Sequence, residues 1–348
     1  MEHSPDVVHQ GRSSRHRTIK ILVSVAVGGL FLWLAFRNIQ LEELWQQILS
    51  VNTSWIIPYI GALAVSHYLR AERWLLLLED LEKKPPRSTL FAGVMVGYML
   101  NNVIPRLGEV SRPVYVARRL KTGSGSLFGT IVLERIIDMS CLILCLLFIS
   151  FYYVAEPNTI SRIFGTDQWE SQVYLVLPAL IIAGVAAIWA AFKMIRRIDK
   201  TGAIENPLWS RFVEFTGRFW TGIKSIRKVR NWPLFVLLTL GIWTGYALMA
   251  YLPFWMLDLH LDYQLGLIEA IVVTVISAAG MAVPSPAGVG SYHLFVQQSL
   301  WILYSVPILS ALTYATITHA MMVLMVFVTG GAALWFDKYY TLKMKLNR

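Results

Sequence analysis

The sequence predicts an all-α polytopic membrane protein, with six full spans and two re-entrant helical hairpins arranged as an inverted repeat. Of its 348 residues, 56% are hydrophobic and only 15% are charged, whereas a soluble globular protein carries about 25% charged residues. The apolar residues form long blocks separated by short charged loops, which is how bilayer spans appear in a sequence. The 13 tryptophans fit the same class, because indole rings favour the membrane–water boundary.

The charge and cysteine content narrows the partners that the chain can have. The net charge is +10, but the basic residues lie between apolar blocks, where they set orientation and meet anionic lipid headgroups. We therefore expect this positive charge to face the membrane surface and not to bind nucleic acid. Cys141 and Cys145 lie one helical turn apart inside an apolar block and form neither a disulfide framework nor a zinc-site spacing. Without a catalytic signature, we predict a non-enzyme that binds no metal and no cofactor.

Nine apolar blocks supply the elements. They occupy residues 19–36, 55–78, 89–104, 126–154, 171–192, 233–256, 266–283, 290–304 and 308–336. The first follows a basic cytoplasmic tail, residues 1–18, and no small-residue cleavage site comes after it, so we interpret it as a retained first span rather than a signal peptide. The second block is the next full crossing.

The third block is too short and too polar at its end for a crossing. Its 16 residues would extend roughly 24 Å as a helix, less than a hydrocarbon core of about 30 Å, and it runs into Asn101-Asn102-Val103-Ile104-Pro105. A crossing here would also place the basic segment 106–121 outside, against the positive-inside tendency. We therefore predict a re-entrant hairpin, residues 89–117, that enters and leaves on the cytoplasmic side.

The later segments alternate in charge as this topology requires. Segment 155–170 has one basic residue against three acidic ones and is predicted to face outside, whereas the loop 193–231 carries ten Lys and Arg and is predicted to be cytoplasmic. The blocks between these segments are then full crossings. A second hairpin, residues 266–304, is predicted where two prolines and two glycines interrupt the helix between Pro284 and Gly290. The last span then runs inward to a cytoplasmic tail, residues 337–348.

This layout divides the chain into two membrane halves of opposite topology. Residues 19–154 start inside and residues 155–336 start outside, and each half holds three spans and one hairpin. Inverted repeats with broken helices are common in secondary transporters, whose substrate sites lie at the breaks. We therefore expect residues 101–112 and 284–293 to approach each other near the bilayer midplane.

Single-cysteine labelling tests the topology. In a background without Cys141 and Cys145, an impermeant thiol reagent should label cysteines placed at 155–170 of intact cells and leave those at 193–231 unlabelled, because only the first segment faces outside. Permeabilised cells should label both segments, which serves as the control. Labelling of the second segment from outside intact cells would contradict the predicted orientation.

Charged and amide residues concentrate around the first hairpin, where each charge at membrane depth needs a partner or a role. They are Arg70, Arg73, Asn101, Asn102, Arg106, Glu109, Arg112, Glu134, Arg135 and Asp138. One interpretation is an internal salt-bridge network that holds the hairpin. The other is that the arginines, in excess over the carboxylates, bind the phosphate of a lipid headgroup, because a guanidinium matches phosphate oxygens two at a time.

The second break adds four candidates, Ser285, Gly288, Gly290 and His293. Its glycines permit close backbone approach, and the helix that begins near Gly290 offers free N–H groups to an anion or polar headgroup. His293 lies in the first turn of that helix, either as a hydrogen-bonded packing residue or as a proton relay.

Four ordered motifs carry a family resemblance. They are Arg70-x-x-Arg73-Trp74, Gly97-Tyr98-x-x-Asn101-Asn102-x-x-Pro105-Arg106-x-Gly108-Glu109-x-x-Arg112, Glu134-Arg135-x-x-Asp138, and Pro284-Ser285-Pro286-Ala287-Gly288-Val289-Gly290. Over about residues 19–336 the chain resembles the lysylphosphatidylglycerol synthase transmembrane family, the flippase-like membrane region of the multiple peptide resistance factor. The resemblance implies translocation of a lipid or lipid-linked headgroup between leaflets.

We therefore expect a flippase of the cytoplasmic (inner) membrane for an anionic phospholipid or a polyprenyl-phosphate-linked (glyco)lipid. Arg106 and Arg112 would bind the phosphate, with the other three arginines assisting, the two asparagines giving neutral hydrogen bonds, and the three carboxylates holding the arginines. Two alternatives stay open: a membrane enzyme that modifies a lipid headgroup with Glu134 and Asp138 as acid and base, and a non-transporting accessory subunit of an envelope glycolipid pathway. A homo-oligomer or an envelope-pathway partner is compatible with each reading.

Overall fold

A computed structural model describes residues 22–78, 84–121, 125–154 and 229–346, with single helical positions between 179 and 197. Within these ranges every regular element is a helix. The predicted span 171–192 and the loops on either side of it lie, as continuous segments, outside the described residues. The N-terminal tail lies outside them as well.

Ten helices longer than a single turn form the described part of the fold. They are α1 (Leu22–Phe36), α2 (Leu41–Leu49), α3 (Ile56–Leu77), α4 (Arg87–Val103), α5 (Leu107–Leu120), α6 (Gly125–Val154), α7 (Trp232–Met256), α8 (Leu267–Ala282), α9 (Ser291–Tyr304) and α10 (Ile308–Leu346). The helix ends lie close to the predicted block ends where local signals are strong. At α7, for example, the side chain of Asn231 accepts a hydrogen bond from the Leu234 N–H at 3.1 Å, and a proline follows in the first turn.

Two helices are long and apolar enough to cross a membrane in the described ranges, Trp232–Met256 and Ile308–Tyr339. The bent pair α1 and α2, which meet at 84°, makes a third if it is counted as one span. Helix α3 has the length of a span, but it carries three charged residues in its second half, Arg70, Glu72 and Arg73. The count of six full spans and the inverted repeat therefore stay predictions.

The bend after α1 is absent from the sequence-based layout. Helix α2 folds back so that Leu44 packs against Leu312 and Ala35. The side-chain amide of Gln47 donates to Ser310 Oγ at 2.9 Å, and its oxygen accepts from Thr313 Oγ1 at 2.7 Å. These contacts fix α2 on the first turns of α10.

Both predicted breaks are helical hairpins. Helices α4 and α5 pack on each other so closely that a Cβ on Gly108 would overlap the carbonyl oxygen of Gly97. Helices α8 and α9 pack in the same way, with Gly280 against the backbone of Tyr292. The turn Pro286–Gly288 contacts α4, so the second break lies against the first hairpin.

The base of the first hairpin is tied to α10 by a buried carboxylate. Asp337 accepts hydrogen bonds from Thr89 Oγ1 at 2.6 Å and from Tyr115 Oη at 2.6 Å, and Arg119 forms an ion pair with it at 2.9 Å. The predicted tail from residue 337 thus continues α10 as far as Leu346. The ties from α4 and α5 fix the feet of the hairpin, and its tip lies toward the interior polar cluster described below.

Candidate functional site

The structure collects five buried or nearly buried charged groups where α3, α5 and α6 meet. Arg70, Arg73 and Arg112 supply the positive charges, and Glu134 and Asp138 supply the negative ones. Arg73 is fully buried, and Glu134 is 1% exposed. Glu134 and Asp138 lie on one face of α6 because residues four apart on a helix are neighbours.

Asp138 bridges the two arginines of α3. Its Oδ2 accepts from Arg70 Nη1 at 2.8 Å, and its Oδ1 accepts from Arg73 Nη2 at 2.7 Å. The remaining nitrogens of Arg70, Nε and Nη2, donate to the hydroxyl of Tyr246 at 3.2 and 2.7 Å. Each of the three Arg70 nitrogens therefore has a protein partner, and α7 is joined to the cluster.

Glu134 binds the arginine of the first hairpin. Its Oε2 lies 2.5 Å from Arg112 Nη1, and its Oε1 lies 3.8 Å from Arg73 Nη2. The Arg112 guanidinium also lies over the indole ring of Trp74 at 3.9 Å from the ring centroid, an arrangement that attracts a cation to the ring face. The ion pair and the indole ring together hold Arg112 in one orientation.

The cluster has more positive charge and more donors than its own residues use. Three guanidinium groups face two carboxylates, so the five groups carry one net positive charge. Arg112 Nε, Arg112 Nη2 and Arg73 Nε have no hydrogen-bond partner within the described residues. Leaving a buried charged donor unpaired costs more than leaving a neutral one. These nitrogens are therefore unused donors in a cluster whose net charge is positive.

Arg112 reaches a cleft between α4, α5 and α6. The cleft is open to its surroundings, and its empty volume of about 270 Å³ includes that open space. Its lining consists of Val94, Gly97, Tyr98, Asn101, Gly108, Glu109, Arg112, Ile131 and Arg135. Asn101 Oδ1 accepts from the Gly108 N–H at 2.7 Å, which shapes the hairpin tip. Arg135 and Glu109 form a half-exposed pair at 3.6 Å and lie at the rim.

Eight of the predicted residues around the first hairpin therefore belong to one cluster or its cleft, and two do not. Arg106 is exposed at the hairpin tip, where its backbone has φ 67°, and it makes no ion pair in the part of the chain that the structure describes. Asn102 is half-buried but does not line the cleft. The phosphate-binding role assigned to Arg106 stays a prediction, and the geometry brings only Arg112 of that pair to the cleft.

The four candidates of the second break lie together, and none of them lines this cleft. Ser285 Oγ and Ser291 Oγ are 3.0 Å apart, and His293 is buried in the first turn of α9. Gly290 has φ 83° and packs directly on α1, where a Cβ would overlap the carbonyl oxygen of Gly28. The start of α9 is thus covered by α1, and Gly288 contacts Met281.

Sequence reasoning missed the residues that α7 brings to the site. Tyr246 receives Arg70, and Thr239 Oγ1 lies 3.4 Å from Arg73 Nη1. The available signal was weak: two polar side chains seven residues apart on an otherwise apolar helix lie on the same face. Nothing in the sequence tells that this face meets α3.

Comparison with known proteins agrees with the motifs. A profile of the family described as "Lysylphosphatidylglycerol synthase TM region" matches residues 21–330. The chain is 24% identical over 285 residues to the UPF0104 membrane protein MJ1595 of Methanocaldococcus jannaschii. The aligned region covers 78% of this chain and 82% of that relative. No solved structure matches the chain. With a family match over most of its length and long apolar helices, this chain is a membrane protein and belongs to the lysylphosphatidylglycerol synthase TM region family.

Proposed function

We propose that the protein moves an anionic phospholipid or a polyprenyl-phosphate-linked lipid between the leaflets of the cytoplasmic membrane. The observation that carries this proposal is the charge of the buried cluster: three arginines face two carboxylates, and two nitrogens of Arg112 beside the cleft have no partner among the residues that the structure describes. A phosphate supplies the missing negative charge and accepts the unused N–H donors. A planar guanidinium can present two such donors to one phosphate.

The neighbours of Arg112 suit a lipid headgroup. Tyr98 and Asn101 line the cleft with neutral polar groups, and Val94 and Ile131 line it with apolar surface. The pair of Arg135 and Glu109 at the rim offers a first contact for a headgroup that enters. Once bound, the phosphate competes with Glu134 for Arg112, and Arg73 remains beside Glu134 to hold its charge.

In this proposal the α4–α5 and α8–α9 hairpins are re-entrant, and both chain termini are cytoplasmic. The contact between α4 and the turn Pro286–Gly288 gives the two hairpins a common boundary at the second break. A broken helix pair at such a boundary can present a polar site inside the bilayer. The headgroup would pass along this boundary while the acyl chains stay in lipid.

The carboxylates fit a holding role better than acid–base chemistry. Glu134 and Asp138 each lie within 2.8 Å of at least one guanidinium nitrogen. Both carboxylates are held in ion pairs with arginines, whereas a general acid or base must be free to exchange a proton with its substrate. This arrangement favours transport over modification of the headgroup.

A leaflet-accessibility assay in proteoliposomes tests the proposal. Purified protein is reconstituted with labelled phosphatidylglycerol, phosphatidic acid or a polyprenyl phosphate, and quenching from outside reports the accessible fraction over time. A monoglycosyl diacylglycerol, whose polar headgroup carries no phosphate, is the matched control. We expect movement of at least one anionic lipid well above protein-free vesicles, and none above background for the glycosyl diacylglycerol. Headgroup conversion without movement would support the enzyme, and no movement of any anionic lipid would overturn the proposal.

A further inference from the structure

The second hairpin holds two buried histidines that the arginine cluster does not use. His293 lies in the first turn of α9, and His319 lies in the first third of α10. They are 5% and 7% exposed, and their ring centroids are 4.8 Å apart. The two imidazoles therefore form a contacting pair beside the break.

Backbone groups fix which nitrogens carry protons in the neutral pair. His319 Nε2 is 2.9 Å from the carbonyl oxygen of Ala287, and because a carbonyl can only accept, Nε2 must carry hydrogen. His293 Nδ1 lies 3.4 Å from the Gly290 N–H, which can only donate, so Nδ1 must be bare. The nitrogen that remains available for a proton on His319 is therefore Nδ1.

No charged side chain forms an ion pair with either histidine within the described ranges, and Arg37, which follows Phe36 of α1, lies over the Trp33 ring. The nearby titratable groups are tyrosines: Tyr292 Oη donates to Thr318 Oγ1 at 2.9 Å, and Tyr59 Oη from α3 donates to the Thr318 carbonyl at 3.3 Å. Tyr314, one turn before Thr318 on α10, donates to the carbonyl of Ala250 on α7. Phe36 faces His293 from α1.

The helices that pack against the break keep their charges at a distance. Helix α4 has one charged residue, Arg87, and α8 has one, Glu269, and both lie in the first turn, at the opposite end from the break. No ion pair joins either histidine to a carboxylate in the described part of the chain. The charge of the pair therefore changes only when a proton binds.

We propose that His293 and His319 form a proton-binding site, in which His319 takes the proton at Nδ1 and His293 stays neutral. This inference rests on the proposed function and gives the transporter a coupling ion. Two features select His319. Its Nε2–H already points at a carbonyl oxygen, which stabilises an imidazolium, whereas His293 lies at the N-terminal end of α9, where the helix dipole disfavours a cation.

Proton binding at His319 would change the hydrogen bonding of the second break directly. The new Nδ1–H⁺ of His319 attracts the bare Nδ1 of His293, which then leaves the Gly290 N–H. The proton comes from water on one side of the membrane and returns to water on the other, so no other reactant is needed. Gly290 packs on α1, and the neighbouring turn contacts α4, so loss of this hydrogen bond reaches the first hairpin.

Histidine NMR on the full-length protein in nanodiscs tests the site without any lipid transport. The chain is labelled with ¹³C,¹⁵N-histidine and titrated from about pH 8 to about pH 4, the range that brackets ordinary histidine titration. The resonance lost in His319→Gln should change to the charged form. The resonance lost in His293→Gln should stay neutral but shift with the same midpoint. His260→Gln is the matched control, because His260 stacks on Trp255 elsewhere.

Three outcomes overturn the proton site: His319 stays neutral throughout, His293 takes the charge instead, or His319 titrates unchanged in His293→Gln. If His319→Gln does not fold, its resonance is identified in the wild type by its altered midpoint in His293→Gln. Lipid transport under a pH gradient separates this inference from the proposed function. Titration of His319 without lipid movement would leave the proton site standing and the transport proposal refuted. Lipid movement without titration of His319 would refute the proton site and leave the transport proposal standing.

Discussion

Replacing Asp138 by asparagine should lower the free energy of unfolding by about 3–5 kcal/mol, because removal of one partner strands a buried charge. Asp138 is the shared partner of Arg70 and Arg73 at 2.8 and 2.7 Å. An asparagine can donate and accept hydrogen bonds at this position but cannot balance two guanidinium charges. We expect both unpaired arginines to destabilise the fold and to weaken the packing of α3 against α6 and α7.

The measurement is equilibrium unfolding in mixed micelles, with melting temperature as a second probe. Glu109→Gln is the matched control, since it also removes one carboxylate from an arginine, but its pair with Arg135 is half-exposed and should contribute less than about 1 kcal/mol. Equal losses for the two variants would show that burial does not strengthen the Asp138 pairs and that the cluster is less isolated from water than the structure implies.

Arg112→Lys should weaken binding of an anionic lipid about tenfold while the protein stays folded. A lysine keeps the positive charge beside Glu134, but its ammonium is a point charge and cannot present two parallel donors to a phosphate. Charge-assisted hydrogen bonds contribute about 1.5–3 kcal/mol each, and losing one accounts for a tenfold change. Native mass spectrometry with phosphatidylglycerol against diacylglycerol measures the binding on purified protein.

Two further variants separate binding from folding at this position. Arg112→Gln alone leaves Glu134 without its closest partner and should lower the melting temperature, whereas Arg112→Gln combined with Glu134→Gln should recover much of that loss. Lipid binding should stay weak in both. Arg118→Gln is the control, because it removes an exposed arginine from the same helix. Normal lipid binding by the folded double variant would show that Arg112 is structural.

The sequence predicted where helices of this fold begin and end better than which of their residues contact each other. The break after residue 104 followed from a short apolar block, two asparagines and a proline, and the structure has α4 ending at Val103 and α5 starting at Leu107. The arginines and carboxylates within and beside the apolar blocks also predicted the cluster, because such charges are too costly to leave apart in an apolar interior.

The assignment of partners required three-dimensional packing. Arg106 and Arg112 carry the same charge on the same hairpin, and only the left-handed backbone at Arg106 and the packing of α5 on α4 show that one is exposed and the other buried. Asp337 lies 222 residues from Tyr115, yet the two share a hydrogen bond. Contacts of such sequence separation leave no local pattern for a single sequence to reveal.

Asp337 also sets how far the first hairpin extends along α10. It lies about 43 Å along α10 from Ile308, at about 1.5 Å per residue, and it holds the first turn of α4 through Thr89. From there α4 runs back along α10, with Met99 against Gly330. It ends at Val103, 14 residues after Thr89, a distance of at most about 21 Å along a helix. The hairpin tip therefore stops at least about 22 Å short of the start of α10. One carboxylate thus sets how far the first hairpin reaches along α10, and moving it by one helical turn would shift the break by about 5 Å along that helix.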